Sequence, residues 1–201
     1  MINIKLTKNV NQNYTNILSK LKVKKSFDLV SREINIGGRK AYLFFVDGFM
    51  KDEVAERILN KFISITKEEM DKVNNITDFI NSYIAHIEAD KENEIDKIVS
   101  GVLSGPMAII IDGLDEAVML DVRTYPSRGP EEPQKEQTLK GAKDGFVETL
   151  VMNTALIRRR VRDENLVFEM MNVGNKSKTD VCIGYIEGLA KTDNVELIRK
   201  K

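Results

Sequence analysis

The chain has little of the residue types that most often carry catalysis or bind metals. Its 201 residues include one cysteine and one histidine. The single Cys182 excludes an internal disulfide and is compatible with a reducing compartment, and its place in the apolar stretch 181–186 predicts a small buried side chain rather than a reactive thiol. A histidine-centred triad or a zinc site would depend on His86, which lies beside Ile84 and Ile87 as a half-buried side chain would. We therefore expect no enzyme activity, no metal and no cofactor.

The chain also lacks net charge and long apolar runs. Lysine plus arginine number 31, as do aspartate plus glutamate, so no overall field favours a nucleic acid, and we expect no nucleic-acid partner. The apolar run 107–111 is far shorter than the roughly 20 residues that span a bilayer, and no signal peptide is recognisable at the N-terminus. These residues are expected to be soluble, although the helix-like end 196–201 has no stop signal and suggests that further chain follows.

What is present indicates a globular α/β chain of the α+β kind. The apolar fraction is 42% and the charged fraction 31%, as in ordinary folded proteins. Apolar and polar periodicity, together with Gly and Pro positions, separates strands from helices. The predicted strands are 27–36, 41–46, 107–111, 117–122, 166–173 and 179–186. Predicted helices cover 10–21, 71–83, 90–99 and 145–162, and Asp144 caps the last of these. Two further helices are predicted to begin after the capping residues Asp52 and Asp193.

The order of these elements predicts two small subdomains, each a mixed β-sheet with packed helices. Residues 1–25 form an amphipathic N-terminal helix, and 26–124 form the first α/β subdomain. A Pro/Glu-rich linker covers 125–143, where Pro126, Pro130 and Pro133 cannot continue a helix or a central strand. Residues 144–201 form the second α/β subdomain, which a membrane domain is expected to follow.

Two loops offer weak alternatives to a structural role. The glycines at 37–38 lack the spacing and the strand-to-helix setting of a phosphate loop and predict a hairpin turn. Asp112, Asp115 and Glu116 crowd one loop and could bind a divalent cation, but the pattern of a calcium loop is missing, so solvated turn carboxylates are favoured. A metal-dependent enzyme at this loop is the weakest of three functional hypotheses.

The charged motifs after residue 120 are the best candidates for a function. Guanidinium groups bind carboxylates and phosphates through two hydrogen bonds. Successive residues of a helix are rotated by about 100° around its axis, so the side chains of Arg158, Arg159 and Arg160 point in different directions. They can compensate the helix dipole, pair with acids such as Glu131 and Glu132, or pair across an interface. The candidates for interface or motif positions are Arg123, Arg128, Glu131, Glu132, Glu148, Asn153, Arg158, Arg159 and Arg160.

Three motifs in order resemble the GerA family of spore germination proteins. Residues 121–133 read DVRTYPSRGPEEP, residues 140–150 read KGAKDGFVETL, and residues 153–160 read NTALIRRR. With SKTDV at 177–181, their wording is most similar to the branch of the stage V sporulation protein AF. The resemblance is strong from about 105 to 186 and weaker before 27.

The resemblance implies a context that the residues alone do not give. In that family such a region precedes a membrane domain, and the whole protein lies in the spore inner membrane. The expected partners are companion membrane subunits, with further copies of the chain as the alternative. The soluble region is expected on the cytoplasmic, or core, side. No catalytic residues come with the family.

These observations lead to one main hypothesis and one alternative. The main hypothesis is an assembly and signal-coupling module of a germinant receptor or an accessory ion channel complex. The alternative is a sensor that binds a small-molecule germinant or an ion between the subdomains, because clefts between domains are favoured binding sites.

Overall fold

The structure is a computed structural model that describes residues 4–50, 52–85, 88–125 and 145–200. Helices and strands alternate irregularly along the chain. The described elements are α1 (Val10–Leu21), β1 (Leu29–Ile36), β2 (Arg39–Val46), α2 (Asp52–Ile63), α3 (Lys67–Met70), α4 (Ile76–Tyr83), β3 (Ala89–Glu92), α5 (Ile95–Ser104), β4 (Met107–Ile111), β5 (Ala117–Leu120), α6 (Leu150–Arg160), β6 (Leu166–Val173), β7 (Thr179–Ile186) and α7 (Thr192–Lys200). None of these helices is long and apolar enough to cross a membrane.

The first sheet has five strands in the order β1-β2-β4-β5-β3, and the second is the hairpin of β6 and β7. The predicted α/β class of the α+β kind is confirmed. Every ladder between these strands is antiparallel, so the sheets are not mixed in strand direction. Hairpins with short loops join most neighbouring strands, and short connections favour antiparallel pairing.

The first hairpin confirms the turn predicted at the paired glycines. Ile36 pairs with Arg39, which leaves Gly37 and Gly38 as a two-residue loop with φ of 53° and 81°. Two successive positive φ values define the turn type that matches strand twist. A Cβ on Gly37 would lie 2.4 Å from the Met70 Cβ, so α3 also requires a glycine there.

Helices cover both faces of the five-stranded sheet. On one face α1 and α5 pack over Phe44, Ala108 and Ile110, and Ala155 of α6 joins the same cluster. On the other face α2, α3 and α4 pack over Leu43, Ile109 and further apolar strand residues. Every residue of β4 is therefore buried, as the continuous apolar run predicted.

Helix α6 contacts the first sheet's loops closely. Gly48 has φ of 82°, and a Cβ on it would lie 3.0 Å from Val151 Cγ1 and 3.1 Å from Ala155 Cβ. These contacts place the later part of the chain directly against the earlier part. The predicted subdomain boundaries stay a prediction, since the 125–143 segment lies outside the described residues except for Tyr125.

The prediction of a helix at 90–99 is wrong for the first half of that range. Ala89–Glu92 forms edge strand β3 against β5, and the Glu92 carboxylate then accepts hydrogen bonds from the N–H groups of Asn93 and Glu94. The helix α5 begins at Ile95 and passes through Gly101 to Ser104, beyond the predicted end at Val99. A Cβ on Gly101 would lie 2.6 Å from Met119 Cε, and Gly105 with φ of 120° ends the helix.

Other helix boundaries also differ from their predictions. The segment 71–83 is helical only from Ile76, because Asn75 caps α4 by accepting from the Asp78 N–H at 3.0 Å. Helix α6 begins at Leu150 rather than at 145, and the expected cap Asp144 lies outside the described residues. Helices α2 and α7 begin at Asp52 and Thr192, so Asp193 lies in the first turn of α7 rather than at the capping position.

Candidate functional site

Arg158 is the most buried charged side chain of the candidate motif. It is 0% exposed, and its partner Asp28, just before β1, is 0% exposed as well. Arg158 Nε donates to Asp28 Oδ2 at 2.7 Å and Nη2 donates to Asp28 Oδ1 at 3.1 Å. Two parallel charge-assisted hydrogen bonds fix the guanidinium plane as well as its position.

The remaining donors of Arg158 are satisfied by the chain around it. Nη2 also donates to the carbonyl of Leu166 at 2.9 Å, and Nη1 donates to the carbonyl of Asp163 at 3.1 Å. The guanidinium carbon lies 5.1 Å from the centre of the Phe168 ring. No buried polar side-chain atom among the described residues lacks a hydrogen-bond partner. A buried charge pair is tolerated when its hydrogen bonds are complete, and this one meets that condition.

Ser26 completes the cluster, and we define the buried junction as Ser26, Asp28, Arg158 and Phe168. Ser26 Oγ donates to Asp28 Oδ1 at 2.5 Å and accepts from the Phe168 N–H at 2.9 Å. The Phe27 N–H donates to the Phe168 carbonyl at 3.0 Å. The segment before β1 is thus bonded to strand β6 and to helix α6 at one place.

Arg159 points to a different environment from that of Arg158. It is exposed, and its guanidinium carbon lies 4.7 Å from the centre of the Tyr125 ring. Arg123 lies 5.8 Å from the same ring centre. Tyr125 itself donates its hydroxyl to the Ser104 carbonyl at 2.5 Å and meets Phe49 edge-on at 5.0 Å. We define the surface stack as Arg123, Tyr125 and Arg159.

Arg123 is held in the surface stack by an acid two residues earlier. Its Nε donates to Asp121 Oδ1 at 2.7 Å, and Nη1 donates to the Ser104 carbonyl at 3.2 Å. The hydrogen bonds with Asp121 raise the pKa of Arg123 above its ordinary value, although burial opposes this. The stem packs so closely on Gly105 that a Cβ there would lie 2.3 Å from Arg123 Cδ.

The other candidate residues have separate positions. Asn153 brackets Val147, because its Oδ1 accepts from the Val147 N–H at 2.8 Å and its Nδ2 donates to the Val147 carbonyl at 2.7 Å. Arg160 is exposed and donates to the Leu156 carbonyl at 3.3 Å, and Glu148 is exposed. Arg128, Glu131 and Glu132, together with His86, lie outside the described residues.

The structure thus brings Arg123 and Arg159 together and separates Arg158 from both. Sequence reasoning missed Ser26, Asp28, Tyr125 and Phe168. The available signal for Asp28 was an acid between Phe27 and Leu29 at the start of a buried strand, a position where a charge needs a partner. That signal identifies a charge that needs a partner but does not say which arginine supplies it.

A cleft of about 670 Å³ lies beside the buried junction. Its lining comes from the segment after α1, from β6 and β7, and from α7, and includes Phe27, Met170, Tyr185, Glu187, Val195 and Arg199. Arg199 donates to both oxygens of Glu169 at 2.8 and 2.6 Å, and these bonds lower the pKa of Glu169. Desolvation, then the bond to Glu169, raises the pKa of Tyr185 to about 12. These groups are paired with one another and keep fixed charges near neutral pH.

Glu187 lies at one side of this cleft and is paired with two lysines. Lys22 and Lys25 both form ion pairs with the Glu187 carboxylate, and we name these three residues the lysine clamp. The hydrogen bonds from Lys22 and then Lys25 lower the pKa of Glu187 to about 2. Lys22 lies at the end of α1 in the left-handed conformation, with φ of 51°, and donates to Asn165 at 2.7 Å as well.

The structure gives little support to chemistry at the two other sites considered. Asp112 Oδ1 accepts from the Val10 N–H at the start of α1, at 3.3 Å, and Glu116 pairs with Lys91 at 3.4 Å. No group of three metal-binding side chains occurs within the described parts of the chain. Desolvation raises the pKa of the half-buried Cys182 to about 11, so its thiol stays protonated near neutral pH.

Comparison with known proteins gives consistent matches over most of the chain. A family model described as Bacillus/Clostridium GerA spore germination protein matches residues 16–201. The chain is 37% identical over 176 residues to stage V sporulation protein AF of Bacillus subtilis (strain 168), covering 88% of this chain and 36% of that protein. It is 25% identical over 187 residues to spore germination protein KA of the same organism, covering 91% of this chain and 34% of that protein.

A solved structure shares the fold. The N-terminal domain of the A subunit of the Bacillus megaterium spore germinant receptor GerK3 aligns with a TM-score of 0.73 at 22% sequence identity, covering 100% of this chain and 73% of that chain. The chain spans about a third of the length of the curated relatives it matches.

Proposed function

Because the chain belongs to the GerA family of spore germination proteins, as its motifs predicted, we propose that it is the assembly and signal-coupling module of a germination complex. The complex would be a germinant receptor or an accessory ion channel, in which this chain has no catalytic role. Its relatives include proteins named for spore germination, and the protein that shares its fold is the N-terminal domain of a receptor A subunit.

One observation carries the proposal: neighbouring arginines of one motif have opposite environments. Arg158 is buried and paired with Asp28, whereas Arg159 is exposed and stacked on Tyr125. Among the described residues, the Arg159 guanidinium has no hydrogen-bond or ion-pair partner. A guanidinium that lies over a ring without hydrogen-bond partners keeps its N–H groups available for a carboxylate of another subunit.

The partners of this exposed edge are the companion membrane subunits or a further copy of the chain. The acidic segment with Glu131 and Glu132, followed by Pro133, has the chemistry to bind arginines across such an interface, with Arg128 beside it. Glu148, Asn153 and Arg160 flank the same motif. The buried junction supports the coupling part of the proposal, because it bonds α6 to the segment before β1 and makes the two move together.

The setting follows from the family and belongs to the same proposal. We expect the whole protein in the spore inner membrane, anchored through a region C-terminal to this chain, with residues 4–200 on the cytoplasmic side that faces the spore core. Accessibility of an engineered surface cysteine in membranes from dormant spores, compared with that in lysed spores, would test this orientation.

The decisive experiment replaces Arg159 with glutamate in the full-length protein. The matched control is Arg162→Glu, an exposed arginine three residues further along whose Nε donates to the Arg159 carbonyl. We expect Arg159→Glu to reduce co-purification with the companion subunits and to slow germination, and Arg162→Glu to change both far less. If Arg159→Glu spores contain normal protein levels, assemble fully and germinate at the wild-type rate, the assembly role is wrong.

A sensor is the second candidate, and the cleft beside the buried junction favours it. Its volume is within the range typical of small-molecule sites, and apolar and charged side chains line it together. Calorimetry with amino acids, sugars and potassium would show saturable heat for a sensor and a uniformly flat response for a module that binds none of them. Tyr185→Phe provides the matched variant, since it removes one polar group from the cleft.

A further inference from the structure

A second concave surface lies far from the arginine motif, between α2 and the end of α4. This groove has a volume of about 530 Å³. Phe62 and Leu120 form its floor and are 2% and 1% exposed. Its walls are half-buried apolar or aromatic side chains, namely Val54, Ile58, Tyr83 and Ile84, and the exposed Ala85 lies at one end. The groove is therefore open to solvent along its length and apolar at its base.

The charges beside this groove are all of one sign. Arg57 and Lys61 line it, and both are exposed. Together with Val54 and Ile58 they have the spacing i, i+3, i+4 and i+7, which places all four on one side of α2. Within the described parts of the chain, neither cation has a hydrogen bond or an ion pair. The groove thus combines an apolar floor with two cations at its rim that form no ion pair within the described residues.

Glu69, an acid whose pKa is affected by the charge of Lys61, is already used in local structure. The Glu69 carboxylate accepts from the Thr66 N–H at 2.8 Å and completes the capping box of α3. That hydrogen bond is the main reason why the pKa of Glu69 is lowered, and the charge of Lys61 adds a smaller effect. Tyr83 likewise uses its hydroxyl internally, donating to the Glu69 carbonyl at 3.2 Å. Glu69 and Tyr83 thus make their hydrogen bonds within the chain, and neither forms one with Lys61.

The opposite side of α2 provides a contrast on the same helix. A smaller groove of about 320 Å³ lies there, next to Leu59 and Ile63. Its charged residues have both signs, because Arg32 is accompanied by Asp47 and Glu56. Charges of both signs therefore line that groove, whereas only positive charges line the groove with Arg57 and Lys61.

We propose that the groove between α2 and α4 binds a short amphipathic segment of a partner protein that carries acidic residues beside apolar anchors. An open groove contacts one side of its occupant, as helix-in-groove recognition requires, whereas small-molecule sites enclose most of the ligand surface. Apolar anchors would cover Phe62 and Leu120, and carboxylates would pair with Arg57 and Lys61. Complementary charge at the rim would select the partner and its direction of binding.

A displayed library of random peptides, selected on the 201-residue chain, tests the proposal directly. We expect the enriched peptides to carry Asp or Glu next to Leu, Ile or Phe. Synthetic versions of them should bind with an affinity that the double variant Arg57→Glu/Lys61→Glu lowers by about tenfold or more, since reversed charges repel the acidic residues. Amide chemical shifts at Val54, Ile58 and Ile84 should change on binding.

Two further variants separate the charge from the groove itself. Arg32→Glu, at the groove on the other side of α2, makes the same change of charge per residue and should leave the affinity within about twofold. Ala85→Trp fills one end of the groove, keeps its charge and should weaken binding, which also covers the case in which the double variant does not fold. Enrichment of basic or purely apolar peptides, of no peptides at all, or of peptides that bind both groove variants as tightly as the wild type overturns the proposal.

Discussion

Two charged contacts link the segment after α1 to the later part of the chain, and they differ in nearly every physical respect. The buried junction pairs Asp28 with Arg158, both 0% exposed, and completes every hydrogen bond around them. The lysine clamp pairs Glu187 with Lys22 and Lys25 at the surface, where 36% of the Glu187 side chain is exposed. Exposed pairs are screened by water and contribute little, whereas losing one partner of a buried pair is strongly destabilising. We therefore expect the loss of one partner at the buried junction to cost far more stability than the loss of the lysine clamp, whose contribution depends on pH.

The largest effect should come from breaking the buried pair on one side only. Asp28→Asn leaves the Arg158 guanidinium buried without a countercharge, and we expect a loss of about 3–5 kcal/mol in the free energy of unfolding. Urea unfolding followed by circular dichroism measures it. The double variant Asp28→Leu/Arg158→Met removes both charges and should recover a substantial part of the loss. If Asp28→Asn and the double variant lost the same free energy of unfolding, the packing shape rather than the charge would determine stability at this junction.

Ser26→Ala should have the next largest effect. The substitution removes the acceptor of the buried Phe168 N–H and one acceptor of Arg158. An unsatisfied buried donor costs about 1–3 kcal/mol, and urea unfolding should show a loss in that range. The exposed Ser19→Ala, which removes only a hydroxyl bond to the Asn16 carbonyl, is the control and should be close to neutral. A neutral Ser26→Ala would mean that the Phe168 N–H finds another partner.

Tyr125→Leu tests the surface stack and should have a smaller effect. It removes the hydroxyl bond to Ser104, the edge contact with Phe49 and the ring beneath Arg159. We expect a loss of about 1 kcal/mol in stability, since the ring is only partly buried. Tyr125→Phe keeps the ring and should lose less. If Tyr125→Leu lost as much free energy of unfolding in urea as Asp28→Asn, the distinction between the surface stack and the buried junction would be wrong.

The smallest effect at neutral pH should come from Glu187→Gln, which removes the charge of the lysine clamp. The folded pKa of Glu187, about 2, lies below its ordinary value of 4.5. Its stabilising contribution is therefore fully present above about pH 4.5 and is lost as the pH falls towards about 2. Thermal unfolding should show the wild type losing stability relative to Glu187→Gln across that window. Parallel pH profiles for the two proteins would mean that the clamp does not form in solution.

Regular elements with strong local patterns could be predicted from the sequence. The strands at 166–173 and 179–186 have the predicted bounds, because two runs rich in apolar residues flank a turn with Gly174 at φ of 91°. Helix α1 covers the apolar stripe at 10–21 that predicted it, but it is shorter than the N-terminal helix expected over 1–25, and β4 was predicted from its continuous apolar run. In each case the signal lies within one segment and needs no distant partner.

Features that depend on distant partners could not be predicted in this way. Strand β3 has the polar sequence ADKE and exists because it pairs with β5, nearly 30 residues later. Asp28 and Arg158 are separated by 130 residues, and nothing in the RRR run distinguishes the arginine that becomes buried. The interface role of the candidate residues stays a prediction, and the fold adds only the separate environments of those that the structure describes.

The fit of α6 against Gly48 limits how this chain can be recombined with its relatives. Val151 and Ala155 leave no room for a side chain at position 48, and Arg158 on the same helix needs an acid at position 28. A chimaera that crosses over anywhere between residues 126 and 144 inherits these positions from different parents. Only parental pairs that match at 28, 48, 151, 155 and 158 will yield a folded hybrid, so these five positions are inherited as a unit.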